Sequence, residues 1–432
     1  MEEGQRMDKK KVWLMNHYAT NMFFNRGGRH YWFAKNLINY NFDPVVFCAN
    51  VRHNTFDVID VGKEKYTVKT LDSIPFVFVK TCVSRGNGID RVKNMVLFYL
   101  NLRKTAKKYI KKYGKPDVIL ASSVHPLTLV AGIKIGRKYN IPCICEIRDL
   151  WPEAIFAFNK AKEKSLLGRL LVAGEHWIYK RANALIFTKE GDTDYIKEKK
   201  WDKDNGGDID LSKAHYINNG VDIEAFKQSM KTEILDDEDL ESDKFNIVYV
   251  GAIRPVNNVG KILDTAALLK DQKDIQFLIY GDGNQREELA ARVENENLDN
   301  VKMKGFVNKK YIPYILSKSS VNLLNYSQTQ YNWSRGNSSN KLFEYMASGK
   351  PVISTVKMGY SIIEKYKCGI EIENASSKDL AEAIMYIKNL DRESYGELGI
   401  NAKSGAEDFD FKVLTKKLIE VINVVMEANK ND

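Results

Sequence analysis

The sequence predicts an α/β protein with two Rossmann-like domains, each built on a parallel sheet. Its 432 residues suffice for two to three domains of ordinary size. Buried strands repeatedly lead into a glycine turn or a helix, which is typical of parallel sheets. An acidic stretch with seven Asp and Glu in fourteen residues separates two such series. The predicted parts are an N-terminal domain at 7–230, a linker at 231–244, a C-terminal domain at 245–405 and a helical segment at 406–432.

The composition is typical of a globular protein and gives no sign of a membrane-spanning helix, a disulfide framework or a zinc site. Apolar residues make up 44% of the chain and charged residues 28%, which is ordinary for a globular protein. No apolar run approaches the roughly 20 residues of a membrane helix, and we expect no signal peptide, with Met1 and Met7 both open as the native start. Five cysteines without metal-type spacing argue against disulfides or zinc and favour the cytoplasm. The net charge of +10 suits nucleic acid, an anionic membrane surface or a phosphorylated ligand.

In the first half, polar residues follow the ends of predicted strands. Gly27 and Gly28 lie between the first strand and a helix, where a phosphate could approach the backbone; a plain tight turn is the alternative. His125, Arg148 and Asp149 follow two later strands, and ligands of open α/β sheets bind at such strand ends. Local turn capping is the competing interpretation for His125 and Asp149. The strands are predicted at 11–19, 44–49, 76–82, 117–122, 142–147, 184–188 and 216–222, and the helices at 29–39, 127–139 and 166–181.

A long basic helix is predicted at 88–114. Its apolar residues recur at helical spacing, and lysines and arginines occupy its other faces. Docking on anionic lipid headgroups is one interpretation, and a solvated face on a helix that packs against the sheet is the other. The apolar set is Val92, Met95, Val96, Tyr99, Leu102, Ala106 and Tyr109, and the basic set is Arg91, Lys93, Arg103, Lys104, Lys107, Lys108, Lys111 and Lys112.

The second half repeats the strand-to-glycine pattern. Arg254 follows the first of its strands, Gly281 follows the second, and Gly305 with Phe306 follows the third. A closing amphipathic helix is predicted at 408–429. The strands are predicted at 246–250, 276–280, 301–304, 320–325 and 352–355.

The segment 338–355 contains the most informative pattern in the chain. Ser338, Ser339 and Asn340 are typical of a helix start, while Gly349 and Pro351 are typical of its end. The unpaired N–H groups and positive dipole end of such a helix attract an anion. Lys341 adds a full charge there, and Glu344, one turn further on, could accept hydrogen bonds from a ribose diol. An ordinary capped helix is the alternative.

Taken in order, the motifs resemble those of the retaining glycosyltransferases of family 4, which have the GT-B fold. The closest resemblance is to the branch that builds bacterial O-antigen and capsule repeats, including the WbuB-like acetamido-deoxysugar transferases. It spans about residues 11 to 425. The motifs are the glycine pair, RDLWPE, EHWIYKRA, INNGVD, VYVGAIR, IYGDGNQREEL, VKMKGFV and SSNKLFEYMASGKPVI.

The resemblance implies a role for each matching residue. Glu344 holds the nucleotide ribose, and the start of its helix holds the pyrophosphate of the donor, with UDP as the nucleotide that we expect. The terminal helix crosses back to the first domain, and the two domains face one another across a cleft. The implied donor-binding residues are Gly27, Gly28, Gly281, Phe306, Val307, Ser338, Ser339, Asn340, Lys341 and Glu344. Arg254 is added to this set, although it is offset from the basic pair of the family, which would fall near Ala252 and Asn258.

The expected chemistry is metal-independent transfer of a sugar with retention of configuration. Lys341 and Arg254 would stabilise the departing diphosphate without a metal or other cofactor. Asp149 is expected to orient or deprotonate the acceptor hydroxyl, with His125 and Glu146 as alternatives and Arg148 beside it in the acceptor site. One departure concerns a second glutamate that the family often carries eight residues before Glu344, where this chain has Gly336.

The expected acceptor is a polyprenyl-diphosphate-linked saccharide at the inner face of the plasma membrane, where the protein would be peripheral. Two rival functions stay open. The first is a hydrolysing UDP-sugar 2-epimerase, and the second, which Gly336 suggests, is a nucleotide-sugar-binding subunit without catalysis. A nucleic-acid partner is not expected, because the basic residues lack interleaved exposed aromatics of a known module.

Overall fold

The computed structural model describes residues 9–53, 55, 57–84, 88–157, 162–327 and 333–431. The chain divides into two compact units. The N-terminal unit contains the chain up to Asn218 together with the segment from Phe411 onward, and the C-terminal unit contains Asn219–Asp410. The alternative start at Met7 lies outside the described residues.

The N-terminal unit is built on one twisted sheet with the strand order β3-β4-β2-β1-β5-β6-β7-β8. Strand β3 runs antiparallel to β4, and the other neighbouring strands are parallel. The two faces of the sheet are buried under separate apolar clusters, as expected for an α/β layer structure. The strands are β1 (Lys10–Met15), β2 (Phe42–Ala49), β3 (Tyr66–Leu71), β4 (Ile74–Val79), β5 (Val118–Ser122), β6 (Cys143–Ile147), β7 (Ala184–Phe187) and β8 (Ala214–Tyr216).

Helices cover both faces of this sheet. Helix α2 packs against β2 and against the terminal helix α16, while α3 packs against α4, and α4 against α6. The helices of this unit are α1 (Thr20–Asn25), α2 (Arg29–Asn39), α3 (Ile89–Tyr113), α4 (Pro126–Tyr139), α5 (Trp151–Ala157), α6 (Leu166–Arg181), α7 (Asp192–Glu198) and α16 (Phe411–Asn431). The predicted bounds of α2 and α6 are confirmed.

The C-terminal unit has a parallel sheet with the order β11-β10-β9-β12-β13-β14. Its central strand β9 lies between β10 and β12, so the chain reverses its direction across the sheet at β9. The strands are β9 (Phe245–Val250), β10 (Ile275–Tyr280), β11 (Val301–Gly305), β12 (Val321–Leu324), β13 (Val352–Ser354) and β14 (Gly369–Glu371), and the helices are α8 (Ile223–Thr232), α9 (Val259–Leu268), α10 (Arg286–Asn295), α11 (Ile312–Ser317), α12 (Asn340–Ser348), α13 (Ile362–Tyr366), α14 (Ser377–Lys388) and α15 (Arg392–Asp408).

The acidic stretch at 231–244 is not a solvated linker. It lies inside the C-terminal unit, and the chain divides earlier, between Asn218 and Asn219. Its Leu240 is 2% exposed, while Asp237 and Asp239 pair with Lys304 at 2.6 and 2.5 Å. Two of the acidic side chains, Asp237 and Asp239, therefore serve as partners for strand β11.

Strand β3 and helix α1 are among the elements that the sequence did not predict. β3 forms a hairpin with β4 through Asp72 and Ser73, both in the left-handed region, with φ of 48° and 66°. Its central residues are half-buried or exposed, so it lacks the apolar run of a central strand. The predicted strand at 216–222 is also wrong, because β8 ends at Tyr216 and an irregular segment follows.

Candidate functional site

In the C-terminal unit, glycines allow the loops after β9 and β10 to meet at the carboxyl edge of the sheet. The N–H of Gly251 donates to the carbonyl of Tyr280 at 3.0 Å, and the N–H of Ile253 donates to the carbonyl of Asp282 at 2.9 Å. A side chain at Gly281, whose φ is +154°, would collide with the carbonyl of Gly251. This edge, where the sheet order reverses at β9, is where ligands of open α/β sheets bind.

Helix α12 begins without a side-chain cap. Its N-cap Ser339 makes no capping hydrogen bond. Instead the Ser339 hydroxyl accepts a hydrogen bond from the Tyr326 hydroxyl at 2.8 Å, while the N–H of Ser339 donates to Asn337 Oδ1 at 2.8 Å. Because the first turn of a helix carries unpaired N–H groups and a partial positive charge, this end suits an anionic ligand.

Lys341 lies in the first turn of α12 between two tyrosines. Its Nζ lies 4.8 Å from the ring centre of Tyr249 and 5.2 Å from that of Tyr326, and 3.3 Å from the Tyr249 hydroxyl. Burial lowers the pKa of Lys341 to about 8, and the nearby Glu344 opposes this shift. A side chain at Gly251 would collide with the ammonium group. The site therefore holds a cation whose charge an anionic ligand would favour.

Glu344 lies one turn further along α12. Its side chain is 19% exposed, and Oε1 lies 3.3 Å from Nζ of Lys309. Phe306, after β11, is 76% exposed, whereas Val307 packs partly against the apolar cluster beneath α12. Arg254 is exposed after β9. These predicted residues thus belong to one unit and follow the carboxyl ends of its strands.

Gly336 has a positive φ of 99°. It lies at the position where the resembled family often has its second glutamate. Residues with a Cβ rarely adopt this left-handed backbone. A glutamate would therefore be strained here, which gives a physical reason for this departure.

In the N-terminal unit, Arg29, His30 and Glu146 form a buried polar network. Arg29 Nε donates to Glu146 Oε1 at 2.7 Å, and His30 Nε2 donates to Glu146 Oε2 at 3.0 Å. Ser122 donates to the same Oε2 at 2.6 Å. Arg29 also donates to the backbone carbonyls of Ile217 and Asn218. The network ties the start of α2 to β6 and to the segment after β8.

Glu146 is unsuited to act as the acceptor base. It is fully buried, and the charge of Arg29 with the hydrogen bonds of His30 and Ser122 holds the pKa of this carboxyl well below its usual range, against the opposing effect of burial. Arg29 and His30 did not emerge from the sequence as site residues. Their position directly after Gly27-Gly28 is the signal that could have found them.

His125 is also buried. Its Nε2 lies 2.6 Å from Nδ1 of His17, and His17 stacks on Phe98 with 4.2 Å between ring centres. Burial and the charge of Arg91 lower the pKa of His125 to about 3, so its imidazole is neutral at pH 7. The two histidines, His17 and His125, follow the carboxyl ends of the neighbouring strands β1 and β5.

Arg148 and Asp149 diverge after β6. The charge of Arg148 contributes to lowering the pKa of both Arg29 and His30, in which burial is the largest cause. Asp149 instead lines an apolar pocket with residues of α4, α5 and α6. The sequence treats both as acceptor residues, but the structure places them in different surroundings.

Both units match families of known proteins. Residues 31–225 match the family described as Glycosyltransferase Family 4, and residues 230–405 match Glycosyl transferases group 1. The provisionally named teichuronic acid biosynthesis glycosyltransferase TuaH of Bacillus subtilis is 26% identical over 214 residues, which cover 49% of this chain and 50% of that protein.

A second relative is the poly(ribitol-phosphate) alpha-N-acetylglucosaminyltransferase of Staphylococcus aureus. It is 26% identical over 220 residues, 50% of this chain and 40% of that protein, so the chain spans half or less of the length of these two relatives. The solved structure of Anabaena HepE in complex with UDP-glucose superposes with a TM-score of 0.65 at 16% identity, over 96% of this chain and 99% of that one. These likenesses confirm the predicted fold.

Proposed function

We propose that this protein transfers a sugar from a nucleotide-diphosphate sugar to a saccharide acceptor. The proposal rests on the matches of its two halves to Glycosyltransferase Family 4 and to Glycosyl transferases group 1, and on its GT-B fold. The observation that carries the proposal is the start of α12, which lacks a side-chain cap and where the ammonium group of Lys341 lies beside Gly251. A diphosphate bound there would meet a fixed cation and a helix dipole, both of which stabilise negative charge that develops on a leaving group.

The proposed reaction retains configuration and needs no metal. The diphosphate departs from the anomeric carbon towards Lys341 and Arg254, and the acceptor hydroxyl attacks from the same side, with the leaving phosphate as the proton acceptor. Asp149 orients the acceptor hydroxyl. Glu344 would bind the ribose diol, and Phe306 with Val307 would contact the base, for which UDP is the proposed nucleotide.

The proposed acceptor is a polyprenyl-diphosphate-linked saccharide of a surface polysaccharide, such as an O-antigen or a capsule. An acetamido-deoxyhexose is the proposed sugar, because the relative from S. aureus is named as an N-acetylglucosaminyltransferase and the motifs resemble those of WbuB-like enzymes.

The test is a thermal-shift screen of UDP-, GDP- and dTDP-sugars, followed by transfer assays with the stabilising donor. We expect one UDP-sugar to raise the melting temperature and to yield a product that NMR shows to have the donor's anomeric configuration. EDTA should leave the rate unchanged. Loss of activity that Mn²⁺ restores would contradict the metal-free reaction. Conversion of the donor sugar without acceptor would support the epimerase, and binding without any turnover the inactive subunit.

We also propose that α3 binds an anionic membrane surface. Only part of the predicted apolar face is buried: Leu102, Ala106 and Tyr109 face the core, whereas Val92 and Val96 are 54% and 40% exposed. With Ile89 and Leu100 they form a solvent-facing apolar stripe at helical spacing. Exposed Lys93, Arg103, Lys104 and Lys107 flank it. Apolar residues bordered by cations are typical of helices that lie in a membrane interface. None of the described helices is long and apolar enough to cross a membrane.

Sedimentation with liposomes tests this surface. We expect the wild type to bind vesicles with anionic headgroups, and the charge reversals Lys107→Glu, Lys108→Glu, Lys111→Glu and Lys112→Glu, made together, to abolish binding because each basic residue near the surface contributes about 1 kcal/mol. A matched control reverses the exposed cations Lys273, Lys357, Lys365 and Lys378 of the C-terminal unit. Equal binding by both variants would count against docking through α3.

A further inference from the structure

An apolar pocket of about 170 Å³ lies in the N-terminal unit beyond the carboxyl ends of β5 and β6. Helices α4, α5 and α6 form its walls. Most of the side chains that line it are aliphatic or aromatic, and Asp149 also lines it. Representative lining residues are Leu129, Val130, Trp151, Ile155, Leu170 and Leu171.

Two polar side chains of the wall, Ser123 and Glu175, have hydrogen-bond partners within the protein. Ser123 Oγ accepts a hydrogen bond from the Arg148 N–H at 2.9 Å. Glu175 accepts from the hydroxyls of Tyr179 and Tyr195 at 2.8 and 2.7 Å, and burial raises the pKa of this carboxyl to about 7. Because these groups are satisfied within the protein, they offer little to a polar ligand.

Exposed leucines continue the pocket wall onto the surface of α6. Leu166, Leu167 and Leu170 are 88%, 54% and 68% exposed, and Leu170 also lines the pocket. The nearby Lys162, Lys164 and Arg169 are exposed as well. Apolar residues beside cations suit the boundary between acyl chains and anionic headgroups. A hydrocarbon chain could thus pass from a lipid surface along α6 into the pocket.

We propose that this pocket binds the lipid chain of a lipid-diphosphate acceptor. The part of the chain that enters the pocket is the part next to the diphosphate. The inference rests on the proposed function, which supplies the acceptor class. An apolar cavity of roughly 150 Å³ accommodates benzene, so this pocket has room for a branched segment of about that size. The cations beside the leucines match the charge of the diphosphate. The rest of the acceptor would extend over the strand edge that bears Asp149.

Gly174 allows the pocket to be filled without disturbing the backbone. It lines the pocket, and a Cβ built there meets no atom within 4 Å. Gly174→Leu should place a side chain in the pocket and suit the helix better than glycine. Gly174→Ala is the small counterpart. Gly396→Leu is the matched control, since Gly396 lies in α15 of the other unit and its Cβ also meets open space.

The binding experiment titrates each protein with geranyl diphosphate, a soluble prenyl diphosphate, and follows Trp151 fluorescence. Trp151→Phe identifies the part of the signal that comes from the pocket. We expect wild type, Gly174→Ala and Gly396→Leu to bind alike, and Gly174→Leu to bind at least about tenfold more weakly, as for a blocked apolar subsite. Equal binding by Gly174→Leu would overturn the proposal, and so would equal affinities of the wild type for geranyl diphosphate and inorganic pyrophosphate. If Gly174→Leu does not fold, Val130→Trp fills the pocket from α4 instead.

A kinetic experiment separates this inference from the proposed function. The experiment compares two acceptors that carry the same saccharide diphosphate. One has an ethyl group in place of the lipid, and the other has a long prenyl chain. We expect Gly174→Leu, but not Gly396→Leu, to lower the ratio of kcat/KM for the long chain to that for the short chain by at least about tenfold. An unchanged ratio would overturn the pocket's role while leaving the transferase intact. Absence of transfer to either acceptor would refute the transferase, and geranyl diphosphate binding would still decide whether the pocket holds a chain.

Discussion

Lys341→Ala should lower kcat by about 10²–10³-fold, the usual cost of removing one preorganised group that stabilises charge in a transition state. The ammonium of Lys341 lies between Tyr249 and Tyr326, with Gly251 leaving room for it. Lys341 therefore needs little rearrangement to meet a diphosphate. The measurement is steady-state release of the nucleotide with saturating donor and acceptor, combined with a melting curve to show that the variant folds.

The control for this prediction is Lys357→Ala, which removes an exposed cation of the same unit. Lys357 follows α12 in the chain, outside the helix, and its Nζ lies 3.6 Å from Oε1 of Glu364. The control should keep the wild-type kcat. An unchanged kcat in Lys341→Ala would remove Lys341 from the stabilisation of the leaving group.

Lys341 should also bind a proton when the donor binds at alkaline pH. Burial lowers its pKa to about 8 in the free protein, and a diphosphate beside it would raise that pKa. Between about pH 8 and the higher pKa of the complex, binding therefore takes up a proton. Calorimetric titration at pH 8.5 in two buffers of different ionisation enthalpy measures this uptake, which Lys341→Ala should lose.

Glu146→Gln should destabilise the N-terminal unit by about 3–5 kcal/mol, because it leaves the buried Arg29 without its counter-charge. At about 2–4 °C per kcal/mol for a unit of this size, we expect the melting temperature to fall by roughly 6–20 °C. The partners are fully buried and the Arg29–Glu146 distance is 2.7 Å. Differential scanning calorimetry measures the change.

Glu64→Gln is the control for this prediction, because it breaks an ion pair that has the same N–O distance but is exposed to solvent. Glu64 and Lys108 are 2.7 Å apart, and their side chains are 65% and 53% exposed. Exposed pairs contribute little, so this variant should melt with the wild type. Equal melting temperatures for Glu146→Gln and the wild type would show that the buried network does not stabilise the unit.

Local sequence determined the elements whose ends are marked by chemistry within a few residues. Helix α2 begins after Gly28 and spans the predicted residues, and α6 does the same after Ser165, whose hydroxyl accepts from the Gly168 N–H at 3.1 Å. The stop of α12 at Gly349 is likewise local, since that residue has the left-handed backbone that the helix end requires. Strand and helix alternation then predicted two parallel sheets, because βα connections allow few other arrangements.

Tertiary structure alone decided which residues become partners across long separations. Arg29 and Glu146 are 117 residues apart and meet only because β1, β5 and β6 lie in order in one sheet. The acidic stretch belongs to the C-terminal unit, where Asp237 and Asp239 pair with Lys304 of β11. Which apolar stripe of α3 is buried depended on how this helix packs against α4 and against the sheet.

The candidate site shows the same division. The residue types at the start of α12 predicted an anion site, since a helix start and a lysine are readable from eighteen residues of sequence. The environment of Lys341 was not readable, because Tyr249 on β9 and Tyr326 after β12 lie beside its ammonium group only in the folded chain, where burial lowers its pKa. Arg148 and Asp149 are adjacent in sequence, yet one lies near the Arg29 network and the other at an apolar pocket. Sequence thus specified the chemical groups, and packing of distant segments specified their surroundings, because burial and neighbouring charge are properties of the folded chain.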